Sequence, residues 1–165
     1  MVAPSAAYQV DITGITKLAQ EFGGNRAGLI VRDELSTAML GGVIDAQNKA
    51  DELVKHKSGA YKRGFRREVG VTGHGVVGIL TNVVRSAADF PYAAALEFGR
   101  KAFGPKTKPY LVFKIGDQWI STKWVKEAPA QHILEYGMKN AMPAIEGRFL
   151  AARDRIASRL EAMKL

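Results

Sequence analysis

Apolar positions recur at helical spacing through residues 25–57. They fall at steps of three and four over about six turns: Val31, Leu35, Met39, Val43, Ala46, Ala50 and Leu53. This pattern predicts one long amphipathic helix that begins after a cap at Asn25. Gly41 and Gly42 interrupt its middle, and we expect them either to allow close packing or to mark a bend.

Alternating apolar positions follow, and they predict two β-hairpins within residues 65–125. The first strand begins at Phe65 and returns through the β-branched run 76–84. The second hairpin alternates over 111–115, turns at Gly116-Asp117 and returns over 118–125.

Helical spacing resumes over residues 129–165. Pro129 suits a first helical turn, and Pro143 is expected to start a second, last helix. The positions expected to face inward are Ile133, Leu134, Met138, Ile145, Phe149, Ala152, Ile156, Leu160 and Met163. Residues 1–24 form an N-terminal extension with a short predicted helix at 12–22. The whole chain, 1–165, is predicted to be a single α+β domain. Its antiparallel sheet of about four strands packs against the long N-terminal helix and the C-terminal helices.

Composition limits the partners and the chemistry. The formal net charge is +8 and the pI is about 9.8, which permits nucleic acid or an acidic protein as a partner. The absence of cysteine excludes disulfides and thiolate chemistry. We expect a soluble chain, because no signal-peptide pattern and no apolar run of ~20 residues is present.

No arrangement of residues in the sequence predicts catalysis. The three histidines lack metal-ligand spacing, and no phosphate-binding loop or nucleophile elbow is present. We therefore predict no catalytic, cofactor or metal site and no enzyme activity. A small basic hydrolase or ribonuclease is the weakest alternative, and it would use His56, Tyr61, Arg63 or Glu97.

Positive charge is concentrated in two clusters. The first follows the long helix and the second lies in the loop after Glu97. They contain Lys62, Arg63, Arg66 and Arg67, with Lys55 and Lys57, and then Arg100, Lys101, Lys106 and Lys108. Each cluster is either solvated surface or a patch for DNA or an acidic partner.

Glu97 is a lone acid that we place at the end of a strand. Its carboxylate is expected to accept backbone N–H groups or to pair with Arg63 or Arg66, and so to fix the next loop. Gly99 and Gly104 let that loop turn, and two prolines stiffen it, which favours a protein–protein contact segment.

Two segments resemble a known family. One is Ser58-Gly59-Ala60-Tyr61-Lys62-Arg63-Gly64-Phe65 and the other is Tyr92-Ala93-Ala94-Ala95-Leu96-Glu97-Phe98-Gly99, followed by Pro109-Tyr110-Leu111. In their order and spacing they resemble the neck or tail-completion proteins at the head–tail junction of long-tailed bacteriophages. The motif positions carried over are Gly59, Tyr61, Tyr92, Glu97, Phe98 and Gly99.

The resemblance implies a structural virion protein, made in the host cytoplasm and built into the head–tail junction. It implies a homo-oligomeric ring, hexameric like the tail, that joins the head connector to the tail tube and lets DNA pass. The implied partners are other connector and tail proteins, with transient non-specific contact to DNA and none to membrane. The residues alone leave one main alternative open: a basic nucleic-acid-binding module of a mobile element.

Overall fold

A computed structural model describes residues 5–11, 25–54, 59–71, 75–85, 92–115 and 117–163. In chain order its elements are β1 (Ser5–Asp11), α1 (Asn25–Leu53), α2 (Ala60–Arg63), β2 (Phe65–Val71), β3 (Gly75–Asn82), α3 (Tyr92–Phe98), β4 (Leu111–Ile115), β5 (Gln118–Thr122) and α4 (Ile133–Glu161). The α+β class and the long N-terminal helix are confirmed. The short helix predicted at 12–22 lies outside the described residues.

The core lies largely between α1 and α4. The predicted stripe of α1 is buried from Val31 to Ala50, with Leu53 partly buried against it. Glycine brings the two helices close together. A Cβ at Gly42 would lie 3.0 Å from Ile145 Cγ1, and one at Gly137 would lie 2.6 Å from Ala50 Cβ. Of the two roles expected for the Gly41-Gly42 pair, these distances support close packing.

Helix α4 runs through Pro143 without ending, so the expectation of two C-terminal helices is wrong. An interior proline removes one backbone hydrogen bond and costs about 3 kcal/mol. Helix α4 buries apolar side chains on both sides of that position, including Leu134 and Met138 before it and Ile145 and Ala152 after it. Burial of each of the larger side chains contributes roughly 1.5–3 kcal/mol, and together they outweigh the free-energy cost of the interior proline.

Ion pairs join the exposed edges of α1 and α4. Arg148 binds Asp45 through two nitrogens at 2.6 and 3.0 Å. Glu34 accepts from Arg155 at 2.7 Å and from Arg159 at 3.0 Å. These charged contacts lie beside the buried apolar side chains of α1 and α4 and link the two helices.

A three-stranded antiparallel sheet, in the order β1-β3-β2, covers part of α1. The predicted hairpin pairs β2 with β3 from Phe65↔Asn82 to Val71↔Val76. Gly78 lets the sheet approach the helix, since a Cβ there would lie 2.5 Å from Met39 Sδ. Strand β1, which the sequence pattern did not predict, pairs with the other edge of β3.

The second predicted hairpin is also present, with β4 paired to β5 from Leu111↔Thr122 to Ile115↔Gln118. It forms a separate two-stranded sheet, so the number of strands is close to the predicted four, but they are divided between two sheets instead of one. Strands β1 and β2 occupy both edges of β3, so the second hairpin could extend this sheet only at the outer edge of β1 or β2, and it pairs with neither.

Candidate functional site

The two sequence motifs meet at one corner of the molecule. Tyr61 of the first motif is 1% exposed, and its ring lies edge-on to Phe65 at 5.4 Å and to Tyr92 of the second motif at 6.5 Å. Burial, with a smaller contribution from Glu97, raises the pKa of the Tyr61 hydroxyl. Gly59 is the N-cap residue before α2, with φ of 64°, a conformation that glycine adopts without strain. Tyr61 and Tyr92 therefore have packing roles, and Gly59 has a role in the backbone turn.

Asn82, which is not among the residues predicted from sequence, stabilises this corner. Its side chain is fully buried, donates to the Tyr61 carbonyl at 2.8 Å and accepts from the Val84 N–H at 3.0 Å. The one available signal was a polar residue inside the apolar run 76–84, because a buried amide in a strand needs specific partners.

Glu97 lies near the end of helix α3 rather than at the end of a strand, which corrects the expected placement. Its carboxylate is 4% exposed and accepts the Leu134 N–H at 3.0 and 3.1 Å and the Glu135 N–H at 3.3 Å. These donors belong to the first turn of α4, whose N–H groups have no acceptor within the helix. Of the roles expected for Glu97, the structure shows acceptance of backbone N–H groups, and the residue caps α4.

Residues 99–126 leave the end of α3 as an extended arm, the name used from here on. Gly99 turns the chain with φ of 73°, and a Cβ there would lie 2.8 Å from the Ala128 carbonyl oxygen. Arg100 then exchanges two backbone hydrogen bonds with Ala128, both 2.9 Å. Phe103 and Val125 exchange two more, at 3.0 and 2.9 Å. The loop expected after Glu97 and the hairpin β4–β5 are thus parts of one paired ribbon.

The arm exposes large apolar side chains. Trp119 is 73% exposed and Trp124 is 60% exposed. Phe103, Tyr110 and Val112 of the arm are exposed too, as is Phe98 just before it. A solvent-exposed two-stranded ribbon with this many apolar side chains is typical of a surface that contacts another molecule.

Cations stand over two of these rings. The guanidinium of Arg100 lies 5.7 Å from the centre of the Phe103 ring, and Lys123 Nζ lies 5.5 Å from that of Tyr110. Both distances are within the range of a cation–π interaction. These pairs hold charged and aromatic groups side by side on the arm.

Charge is distributed unevenly between the arm and the rest of the chain, called the body from here on. The arm holds seven of the 24 lysines and arginines but one of the 16 aspartates and glutamates, so it carries six of the eight net positive charges. The expected residues Arg100, Lys101, Lys106 and Lys108 all belong to it. The predicted cluster continues through Lys123 and Lys126, which the clustering of charge in the sequence did not indicate.

The first basic cluster lies on different elements, α2 and β2. Lys62 Nζ is 3.5 Å from Asp51, and Arg66 donates to the carbonyls of Arg63 and Phe65 at 3.1 and 2.8 Å. Arg67 is exposed on β2. Part of this cluster therefore serves the local fold, while Lys55 and Lys57 lie outside the described residues.

A shallow groove of about 760 Å³ lies at the root of the arm, lined by Phe98–Lys101 and 127–130. Within the part of the chain that the structure describes, no three His, Asp or Glu residues are placed to hold a metal ion. No helix in those ranges is long and apolar enough to cross a membrane. Of the residues weighed for hydrolysis, Tyr61 and Glu97 are buried and His56 lies outside the described ranges.

No family model, no curated protein and no solved structure matches the chain. The geometry of the corner and the arm is therefore the basis for assigning a class of protein.

Proposed function

We propose that the chain is a structural protein of the head–tail junction of a phage-like particle. In this proposal it forms a ring between the head connector and the tail tube, through which DNA passes, and it catalyses no reaction. The observation that supports it best is the meeting of the two motifs at the root of the arm. Tyr61 packs on Tyr92, and Glu97 joins that corner to α4.

A junction protein must bind neighbours on more than one side without losing its own fold. The body here has its own core between α1, α4 and the three-stranded sheet. The arm adds little to that core and exposes both tryptophans of the chain. A body with its own core and an arm with exposed apolar side chains suit a subunit that folds before assembly and then binds a neighbour through the arm.

Deleting the gene from the element that encodes it tests the proposal. Electron microscopy should show filled heads and free tails that fail to join, and the wild-type gene supplied in trans should restore joining. A shortened chain lacking residues 105–123 should fold but fail to restore it. That deletion keeps the Phe103–Val125 pair and leaves Gly104 and Trp124 as a two-residue Gly-X turn. Normal joined particles after gene deletion would contradict the proposal.

A further inference from the structure

The arm and the body differ in charge, and this difference indicates what the arm binds. We infer that the arm docks on an acidic surface of a different protein, rather than on a second copy of this chain or on nucleic acid. The inference deepens the proposed function by assigning a chemistry to one neighbour in the junction. It stands on three features of the molecule: the charge of the arm, the pairing of the body's carboxylates, and the mixture of apolar groups on the arm.

A second copy offers the arm little complementary charge. Outside the arm the chain carries a net charge of only +2, the remainder of +8 after the arm's six. Several described carboxylates of the body already have partners within the chain. Ion pairs hold Glu34, Asp45, Asp51, Glu52 and Asp154, Glu135 contacts His132 at 3.2 Å, and Glu97 is buried at the start of α4. Two arms would also repel each other, since like charges disfavour contact.

Nucleic acid is a poorer match than protein for the apolar groups. Single strands bind through aromatic faces on which bases stack, in a groove that follows the phosphates. Here Arg100 and Lys123 already cover one face of Phe103 and of Tyr110. Val112 is 61% exposed on β4, and such an aliphatic side chain gives a base no stacking surface. Exposed tryptophan and tyrosine beside aliphatic groups are typical of protein interfaces.

The expected binding mode combines two effects. Lysines such as Lys106 and Lys108, which are exposed on the arm, attract an acidic surface and accelerate the encounter. Trp119 and Trp124 then bury apolar area against it and slow dissociation. Binding should therefore weaken with salt yet persist in part when the charges are screened.

Tryptophan fluorescence of the full chain tests the inference, because both tryptophans lie on the arm. The probe is a soluble peptide of repeating Glu-Glu-Leu units, and the comparison ligand is oligo-dT with the same number of negative charges. The peptide should shift the emission to shorter wavelength and bind more tightly than oligo-dT. Dilution of the chain alone should leave the emission unchanged.

Matched charge reversals identify the surface. The double variant Lys106→Glu, Lys108→Glu should weaken peptide binding by about tenfold or more, since two charge contacts are lost and two repulsions are gained. The control variant Arg32→Glu, Lys139→Glu removes the same charge from exposed positions of α1 and α4 and should bind nearly as the wild type does.

Each other outcome overturns the inference. Tighter binding of oligo-dT would assign the arm to nucleic acid, and a dilution-dependent emission would assign it to a second copy. Equal weakening by the two double variants would show that net charge alone governs binding. These measurements use the purified chain, so a negative result leaves the gene-deletion test of the junction role unaffected.

Discussion

Glu97 and Leu134 are 37 residues apart in the chain, and both carboxylate oxygens of Glu97 lie within 3.1 Å of the Leu134 nitrogen. Leu134 is the second residue of α4, so its N–H has no acceptor inside the helix. The negative carboxylate also lies at the positive end of the helix dipole. One buried side chain therefore fixes the end of α3 against the start of α4, on either side of the arm.

Loss of this cap should destabilise the chain. Glu97→Ala leaves the buried Leu134 N–H without its acceptor, and we expect the free energy of unfolding to fall by about 1–3 kcal/mol. Glu97→Gln keeps one acceptor oxygen, so its free energy of unfolding should fall by less. Urea unfolding followed by circular dichroism measures both. Glu146→Ala, at an exposed position of α4, is the control and should change little. An unchanged midpoint for Glu97→Ala would show that the cap contributes nothing.

The buried stripe of α1 should not tolerate charge. Leu35 is 2% exposed, so Leu35→Asp places an unpaired carboxylate in the core and should abolish soluble expression. Leu40 lies on the same helix but is 46% exposed, and Leu40→Asp should express and fold normally. Soluble yield and thermal unfolding compare the two. A folded Leu35→Asp chain would refute the burial of this stripe.

Two glycines of α4 should respond to alanine in opposite directions. A Cβ at Gly137 would lie 2.8 Å from the backbone nitrogen of Ala50, so Gly137→Ala should force α1 and α4 apart and cost about 1–3 kcal/mol. A Cβ at Gly147 has no atom within 4 Å. Gly147→Ala should stabilise the helix by about 0.5–1 kcal/mol. Chemical denaturation of the two variants gives the comparison, and the same sign for both would contradict the close packing of α1 on α4 at Gly137.

Stability should fall in acid partly through Glu34. Hydrogen bonding to Arg155, with Arg159 in addition, holds the pKa of Glu34 below its ordinary value of 4.5. A carboxyl with a lowered pKa contributes stability above its unfolded pKa, and this is lost as pH falls through the folded pKa. Between about pH 5 and pH 3 the wild type should therefore lose more stability than Glu34→Gln. Unfolding curves at each pH measure the difference, and parallel losses would exclude a role for this group.

Duplex DNA should bind weakly and lose binding at physiological salt. Each phosphate contact adds to the salt dependence, and six to ten contacts change affinity by about 10³–10⁵ between 50 and 200 mM salt. A subunit around a DNA channel is expected to make few such contacts at once. A salt titration of duplex binding by the purified chain measures this. Tight binding at physiological salt, or a preference among base sequences, would favour the nucleic-acid-binding alternative.

Spacing predicted the parts of the fold that depend on local pattern. The stripe from Val31 to Ala50 is buried as the helical steps indicate, and both hairpins pair as their alternation indicates. Strand β1 was missed because Ala6 and Ala7 have low strand propensity, and its pairing with β3 is a long-range contact. The helix start predicted at Pro143 was wrong for a related reason. The helix continues through this proline because its apolar side chains are buried against α1, which is also a long-range contact.

Some features of the candidate site could likewise be predicted from sequence, and others depend on long-range contacts. The second basic cluster could be located from sequence, because the positions of lysine and arginine are read directly from it. Acceptance of backbone N–H groups by Glu97 was one of two expected roles, but the donors could not be identified, because they lie in a helix that begins at Ile133, far along the chain. The exposure of Trp119 and Trp124 was equally hidden. Trp119 lies in β5 and Trp124 follows it, and both rings are exposed on a hairpin that forms a sheet of its own, which the alternating pattern alone does not show.

The pairing of Arg100 with Ala128 closes the arm at its base, so the arm is topologically an insertion between α3 and α4. Its two ends are already held together by the body, and the entropy of closing a longer loop grows slowly, by about 0.6 kcal/mol per doubling of length. Related chains can therefore lengthen, trim or replace this segment during evolution while the helix pair stays the same. Residues of the arm can then change with the binding partner, while residues of the body are constrained by the fold. Relatives with the same body are therefore expected to differ most in residues 99–126.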